Sequence, residues 1–140
     1  MWLVPTRWLY APLDPSRRQI RLLEILPVWK TDRQTPISAR LVIVSLDDEP
    51  DYSALSYTWG DGTTTNHIIV DGKRIGCTAN LHHALNDLRS NPWDVIKKTP
   101  KRIWVDAVCI NQEDLEEKNH QLPLMETIYT KAKVVYCWLG

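Results

Sequence analysis

Two stretches of this sequence carry side chains of the types that bind or cleave small polar molecules. In the first, a short aromatic run, Ser53 to Trp59, empties into Gly60, Asp61 and Gly62; in the second, Asn111 and Gln112 are followed by Glu117 and Gln121. Tyr57 and Trp59 offer stacking faces, Gly60 permits close backbone approach, and the amides of Asn111 and Gln112 have the donors and acceptors that read a ribose or a base. Asp61 adds a carboxylate. Glu117 and Gln121, four residues apart, lie roughly 40° apart on one helical face. Glu117 is the candidate catalytic group, because a partly buried acid can orient ribose hydroxyls or stabilise an oxocarbenium-like transition state, the electrostatic need of glycosidic cleavage. A second reading is equally physical: with Asp114 three residues ahead, Glu117 completes a capping box by accepting from the Asp114 backbone N–H. The sequence leaves both open.

Other chemistry-bearing residues carry less. Asp106 interrupts the apolar run Ile103 to Ile110, so it must be paired, at the sheet edge or functional; a backbone donor or an arginine such as Arg89 or Arg102 is the expected partner, beside a ligand role. Cys109 sits in apolar surroundings that raise a thiol's pKa and make it inert. The three cysteines, Cys77, Cys109 and Cys137, lack CxxC spacing and read as buried free thiols. Four histidines share no metal-ligand spacing, so no metal is expected. GxSxG, P-loop and GxGxxG signatures are absent, which removes serine hydrolases, P-loop NTPases and Rossmann dehydrogenases from consideration.

The elements that must hold these residues follow from periodicity. Gln19 to Leu26 and Ala39 to Leu46 read as strands, and so does Ser53 to Trp59. Ile68 to Val70 and Arg74 to Cys77 flank Asp71-Gly72, a hairpin signal that demands positive φ at both turn residues. Leu81, Ala84, Leu85 and Leu88 trace a helix capped by Thr78 or Asn80 and ending near Ser90. Asn91 to Lys101 reads as a surface loop. Ile103 to Ile110 and Val134 to Leu139 read as buried strands; between them Asp114 opens a helix that Pro123 kinks or divides. Strand alternating with helix from Ser53 onward predicts an α/β fold with a three-layer, parallel-sheet core, in which the strands at Ser53 to Trp59, Ile103 to Ile110 and Val134 to Leu139 are mutually parallel. The N-terminal strands and the hairpin read as additions. Ligands of such sheets bind beyond the carboxyl ends of the strands, where Tyr57 to Asp61 and Asn111-Gln112 converge.

Composition bounds the partners. The 140 residues suit one domain, and 17 lysines and arginines balance 17 aspartates and glutamates, leaving no basic field for nucleic acid. No stretch reaches the roughly 20 apolar residues of a membrane-spanning helix. A cytoplasmic location is expected. Seven tryptophans and no phenylalanine make the core depend on rings whose polar atoms need partners.

Several blocks together resemble the HET (heterokaryon incompatibility) domain of filamentous fungi: Tyr52 to Gly60 (YSALSYTWG), Asn80-Leu81 with Ala84-Leu85 and Leu88-Arg89, Trp104 to Gln112 (WVDAVCINQ), Asp114, Glu117-Lys118 and Gln121, then Met125, Ile128-Tyr129, Ala132 and Trp138 to Gly140. With Ile20 to Glu24 these span nearly the whole chain. The resemblance implies an effector module in non-self recognition and programmed cell death, acting through self-association or protein partners. A kinship proposed between that family and Toll/interleukin-receptor (TIR) domains implies a TIR- or flavodoxin-like sheet and, as an alternative activity, cleavage of NAD as a substrate, with no cofactor required. Pro123 departs from the family pattern, and the last strand stops at Gly140 where many relatives continue. A single HET domain over 1–140, shortened at its C-terminus and prone to associate, is the expectation.

Overall fold

The computed structural model describes residues 9–26, 34–60, 62–89 and 101–139. Asp61, Gly140 and most of the segment read as a surface loop lie outside the described residues. Seven strands form one mixed sheet: β1 (Gln19–Ile25), β2 (Ser38–Ser45), β3 (Ser53–Tyr57), β4 (Asn66–Val70), β5 (Lys73–Cys77), β6 (Lys101–Trp104) and β7 (Val134–Trp138). Their spatial order is β5-β4-β2-β1-β6-β3-β7. Among the described residues four α-helical segments accompany them: α1 (Ala79–Arg89), α2 (Asp106–Cys109), α3 (Leu115–Gln121) and α4 (Met125–Lys131).

The parallel relation expected among the strands at Ser53, Ile103 and Val134 holds, since β3 pairs parallel with both β6 and β7. The rest of the sheet corrects the expectation of a parallel core with appended strands. β1 lies in the middle and runs antiparallel to both β2 and β6, placing Leu23 opposite Ile103. It is buried from Ile20 to Ile25, charges included. Central position demands burial on both faces, which explains its near-continuous apolar run.

The strand expected over Ile103 to Ile110 is shorter. Its ladder ends at Trp104, and Asp106–Cys109 closes one helical turn whose Cys109 N–H bonds to Val105 O at 2.8 Å. An apolar run covered on both sides looks alike in strand or buried helix, and tertiary packing chose the turn. Elsewhere local chemistry decided. Asp71 and Gly72 have φ of 52° and 75°, as the hairpin requires. The Thr78 hydroxyl caps α1 at Leu81 N–H, and Pro123 sits in a 3-10 turn, Leu122–Leu124, that separates α3 from α4.

Helices cover both faces. Ala54 and Trp104 are register partners, and Trp104 meets Tyr129 of α4 edge to face at 5.5 Å, whereas the adjacent Leu55, on the opposite face, borders Ala84 and Leu88 of α1. Trp104 is fully buried, yet its indole nitrogen and that of Trp138 have no hydrogen-bond partner. The expectation that buried tryptophans find polar partners fails at these two. β7 forms one edge of the sheet, with Val134 and Val135 exposed, and Cys137 is likewise exposed rather than buried.

Candidate functional site

The two halves of the expected site separate. Tyr57, Trp59 and Gln112 line one cavity of about 300 Å³ beyond the carboxyl ends of β3 and β6, closed by the end of β5, the start of α1 and the first turn of α2. Glu117 and Gln121 line another, of about 240 Å³, between α3 and the segment Pro12 to Pro15. The helical spacing did put Glu117 and Gln121 together. It placed them away from the crevice.

Glu117 is bound in a buried ion pair. Its two oxygens accept from Arg21 Nη1 and Nη2 at 2.8 and 2.6 Å, and Oε2 accepts from Asn111 N–H at 2.6 Å. The side chains of Arg21 and Glu117 are 2% and 8% exposed. Arg21 also donates to Cys109 O and Ala11 O, and its guanidinium lies 4.7 Å from the centre of the Tyr10 ring. The capping box forms only by half: Asp114 accepts from Glu117 N–H at 3.1 Å, but Asp114 N–H bonds to Asn111 O and the Glu117 carboxylate points to Arg21. A bidentate bond to arginine outweighs one to a neutral amide, which is why the return half is lost. Arg21 was legible as a charge inside an apolar strand. What it paired with was not.

Asn111 is occupied in the same turn, its Oδ1 accepting from Glu113 N–H at 3.2 Å. Gln121 is 2% exposed and donates to Gln19 O, joining α3 to β1, while its Oε1 is buried without a partner. Gln112 faces the crevice and donates to Asp106 O at 2.8 Å.

The crevice itself has aromatic walls. Tyr57 and Trp59 lie nearly parallel, 9° apart with ring centres 6.2 Å apart, and Trp59 is 43% exposed. A turn from Trp59 O to Gly62 N–H at 3.3 Å fixes the strand exit, with positive φ at Gly60 and Gly62. Open space surrounds the position a Gly60 Cβ would take, so this glycine serves the turn rather than a close approach. The Tyr57 hydroxyl is buried and makes no hydrogen bond; the Thr78 hydroxyl is near enough to favour its ionisation slightly but is out of bonding geometry. Burial and then the Asp106 charge push the Tyr57 phenol up.

Asp106 is the residue whose place the sequence concealed. It starts α2 instead of interrupting a strand, half-buried; of the partners expected, the backbone donor serves it, through the Ala107 N–H, and the arginines do not, Arg102 binding Glu24 at 3.0 Å and Arg89 Nε donating to Asn86. Burial raises its carboxyl above the usual aspartate range, against the Ala107 backbone and Trp59 indole N–H groups that favour the anion. Cys109 is fully buried and its thiol is pushed up to about 12, chiefly by desolvation, which leaves it without nucleophilic character.

Residues 52–140 match the family model described as heterokaryon incompatibility protein (HET). The chain belongs to the HET family. Among curated relatives of this HET domain is "Heterokaryon incompatibility protein 6, OR allele" of Neurospora crassa, 38% identical over 136 residues that cover 91% of this chain. Those residues amount to 19% of that relative, so the HET domain spans about a fifth of its length. No solved structure matches the chain. The family match begins at Tyr52, beyond β1 and β2, so Arg21, which holds Glu117, lies outside it. No described helix is long and apolar enough to cross a membrane.

Proposed function

We propose that this HET domain acts in heterokaryon incompatibility as a signalling and effector module, promoting cell death through self-association or a protein partner. The carrying observation is the β7 edge, where one side of the strand has no neighbour among the described residues and Val134 and Val135 are 42% and 43% exposed. An open edge with apolar side chains is a template for pairing. Light scattering should detect concentration-dependent assembly, and Val135→Lys should reduce both assembly and cell death in a fungal host. A protein that stays monomeric while remaining fully lethal would overturn the reading.

A second reading, cleavage of NAD, is favoured by the cavity at the carboxyl ends of the parallel strands β3 and β6, with the Tyr57–Trp59 pair in its wall. Incubation of the domain with NAD should then release nicotinamide. Glu117 is held by Arg21, so Trp59→Ala, rather than a change at Glu117, is the variant that should lower release without unfolding the chain.

A further inference from the structure

We infer that the cavity between α3 and the segment Pro12 to Pro15 is a docking site for an arginine side chain of a protein partner. Its guanidinium donates to Gln121 Oε1 at the base, with the Asp114 and Glu116 carboxylates as counter-charge. The inference deepens the partner form of the first reading and rests on it for the source of the arginine, but its surface is separate from the β7 edge.

The base of the cavity carries the first observation. Gln121 lines it, is 2% exposed, and has a buried Oε1 with no hydrogen-bond partner. Turning the amide over would not relieve this, because Nε2 donates to Gln19 O at 2.9 Å and a carbonyl accepts only from the nitrogen. Gln19 is not among the residues that line the cavity, so Nε2 is turned out of it and the diverging Oε1 is the amide atom left to it. A buried acceptor without a donor is a standing cost that a ligand N–H removes.

The walls set the charge and the shape. No lysine or arginine lines the cavity among the described residues. The charge of Glu117 is taken by Arg21, but Glu116 has no cation among the described residues, and Asp114 engages one oxygen with Glu117 N–H. His120, also in the wall, accepts through a ring nitrogen when neutral. Acceptors with an excess of negative charge are complementary to a cationic donor.

Across from α3, Pro12, Leu13 and Pro15 present apolar surface. That mixture selects guanidinium over ammonium. A guanidinium's planar fork reaches more than one acceptor and its weakly hydrated faces tolerate apolar contact, whereas an ammonium is a strongly hydrated point charge. At about 240 Å³ the space lies below the range of small-molecule pockets and suits a single side chain entering from outside.

The test is an NMR titration of the full chain at pH 8, following the Gln121 side-chain amide and the His120 ring, with ethylguanidinium, ethylammonium and the neutral ethylurea as probes. Ethylguanidinium should bind with a Kd on the order of 1 mM, and about tenfold more tightly than either of the others. Asp114→Asn combined with Glu116→Gln removes both charges and keeps the cap, since asparagine caps as well as aspartate, and should weaken ethylguanidinium about tenfold. Gln121→Met keeps the volume and should weaken it by a similar factor, read at the His120 ring. Equal binding of ethylurea, or an affinity unchanged in the double variant, overturns the inference; should Gln121→Met fail to fold, the double variant decides alone. N-acetyl-arginine methylamide against free arginine tells the source: the blocked form should bind more tightly, because the free carboxylate is repelled by the walls, and a preference for the free amino acid overturns the docking of a partner side chain. Light scattering and lethality, measured alongside, separate the two ideas. Guanidinium binding by a chain that stays monomeric and lethal refutes the assembly reading and supports the site, whereas assembly without guanidinium binding refutes the site alone.

Discussion

The Glu117 corner and the first turn of α2 both hold a carboxylate drawn out of water, yet they treat it in opposite ways. Glu117 receives two bonds from Arg21 and one from a backbone N–H, and Arg21 in turn serves two carbonyls; the network ties α3, β1, the α2 exit and the segment at Ala11 into one corner. Asp106 receives help only from neutral donors, beside a phenol with no bond and an indole 43% exposed. Most buried polar groups of a folded chain are paired, and the unpaired Trp104 indole and Gln121 Oε1 are exceptions to that rule. The lesson is that the acid with a cationic partner ties distant segments together, whereas the acid held only by neutral donors pays for its burial with a raised carboxyl.

The largest effect should come from breaking the paired corner. Arg21→Met leaves Glu117 buried without a cation, and Glu117→Leu leaves Arg21 without an anion; each should cost about 3–5 kcal/mol in urea unfolding. The double variant should return close to the parent, because the buried pair as a unit is worth little against apolar replacements. If Glu117→Leu folds with unchanged stability and loses lethality, Glu117 has a role in the chemistry and the comparison between the two regions collapses.

Next in size is the cap. Asp114→Ala removes the acceptor for Glu117 N–H and should cost about 0.5–2 kcal/mol, without touching the crevice. A loss of crevice binding in that variant would show that the two regions are coupled.

The pH response of Asp106 should be smaller and of opposite sign to that of an ordinary ion-paired acid. Its folded carboxyl is raised, so the native state holds the proton more tightly than the unfolded chain does, and stability falls as pH rises from the usual aspartate range through the raised value. Asp106→Asn should therefore melt higher than the parent at pH 7, with the gap closing as pH drops below that range. A variant that melts lower at pH 7 would mean that the carboxylate is stabilising after all. Glu24, lowered by its two arginines despite burial, should show the reverse, its contribution being lost as acid protonates it.

Trp59→Ala should have the least effect on folding, about 1 kcal/mol or less, because the ring, 43% exposed at a strand end, gives up its contact with Tyr57 but little core packing. Its effect on nicotinamide release, where the crevice cleaves NAD, should be the larger one. Thermal unfolding alongside the release assay measures both, and a large destabilisation would recast Trp59 as a packing residue.

Much of the frame is legible in the sequence because it depends on local rules. Asp71-Gly72 could hardly be anything but a hairpin turn, Thr78 and Asp114 occur where helices begin, and Pro123 divides α3 from α4. The parallel strands β3, β6 and β7 followed from alternation of strand and helix. The residues that share a face, Glu117 with Gln121, were likewise a matter of helical period. Tyr57, Trp59 and Gln112 as crevice residues rested on the rule that strand carboxyl ends form ligand sites.

Pairings across the chain were decided only by the tertiary structure. β1 entered the centre of the sheet, where periodicity is silent about neighbours, and so carried Arg21 to an acid 96 residues away. Residues 105–110 left the ladder for a turn because an apolar run specifies burial and not conformation, which moved Asp106 from a strand to the start of α2. Sequence thus determined which side chains had to be buried or capped, through backbone geometry and the 2.0 and 3.6 periods. Which acid met an arginine and which was left beside two aromatic rings depended on long-range contacts, whose energies arise only when distant segments close on one another.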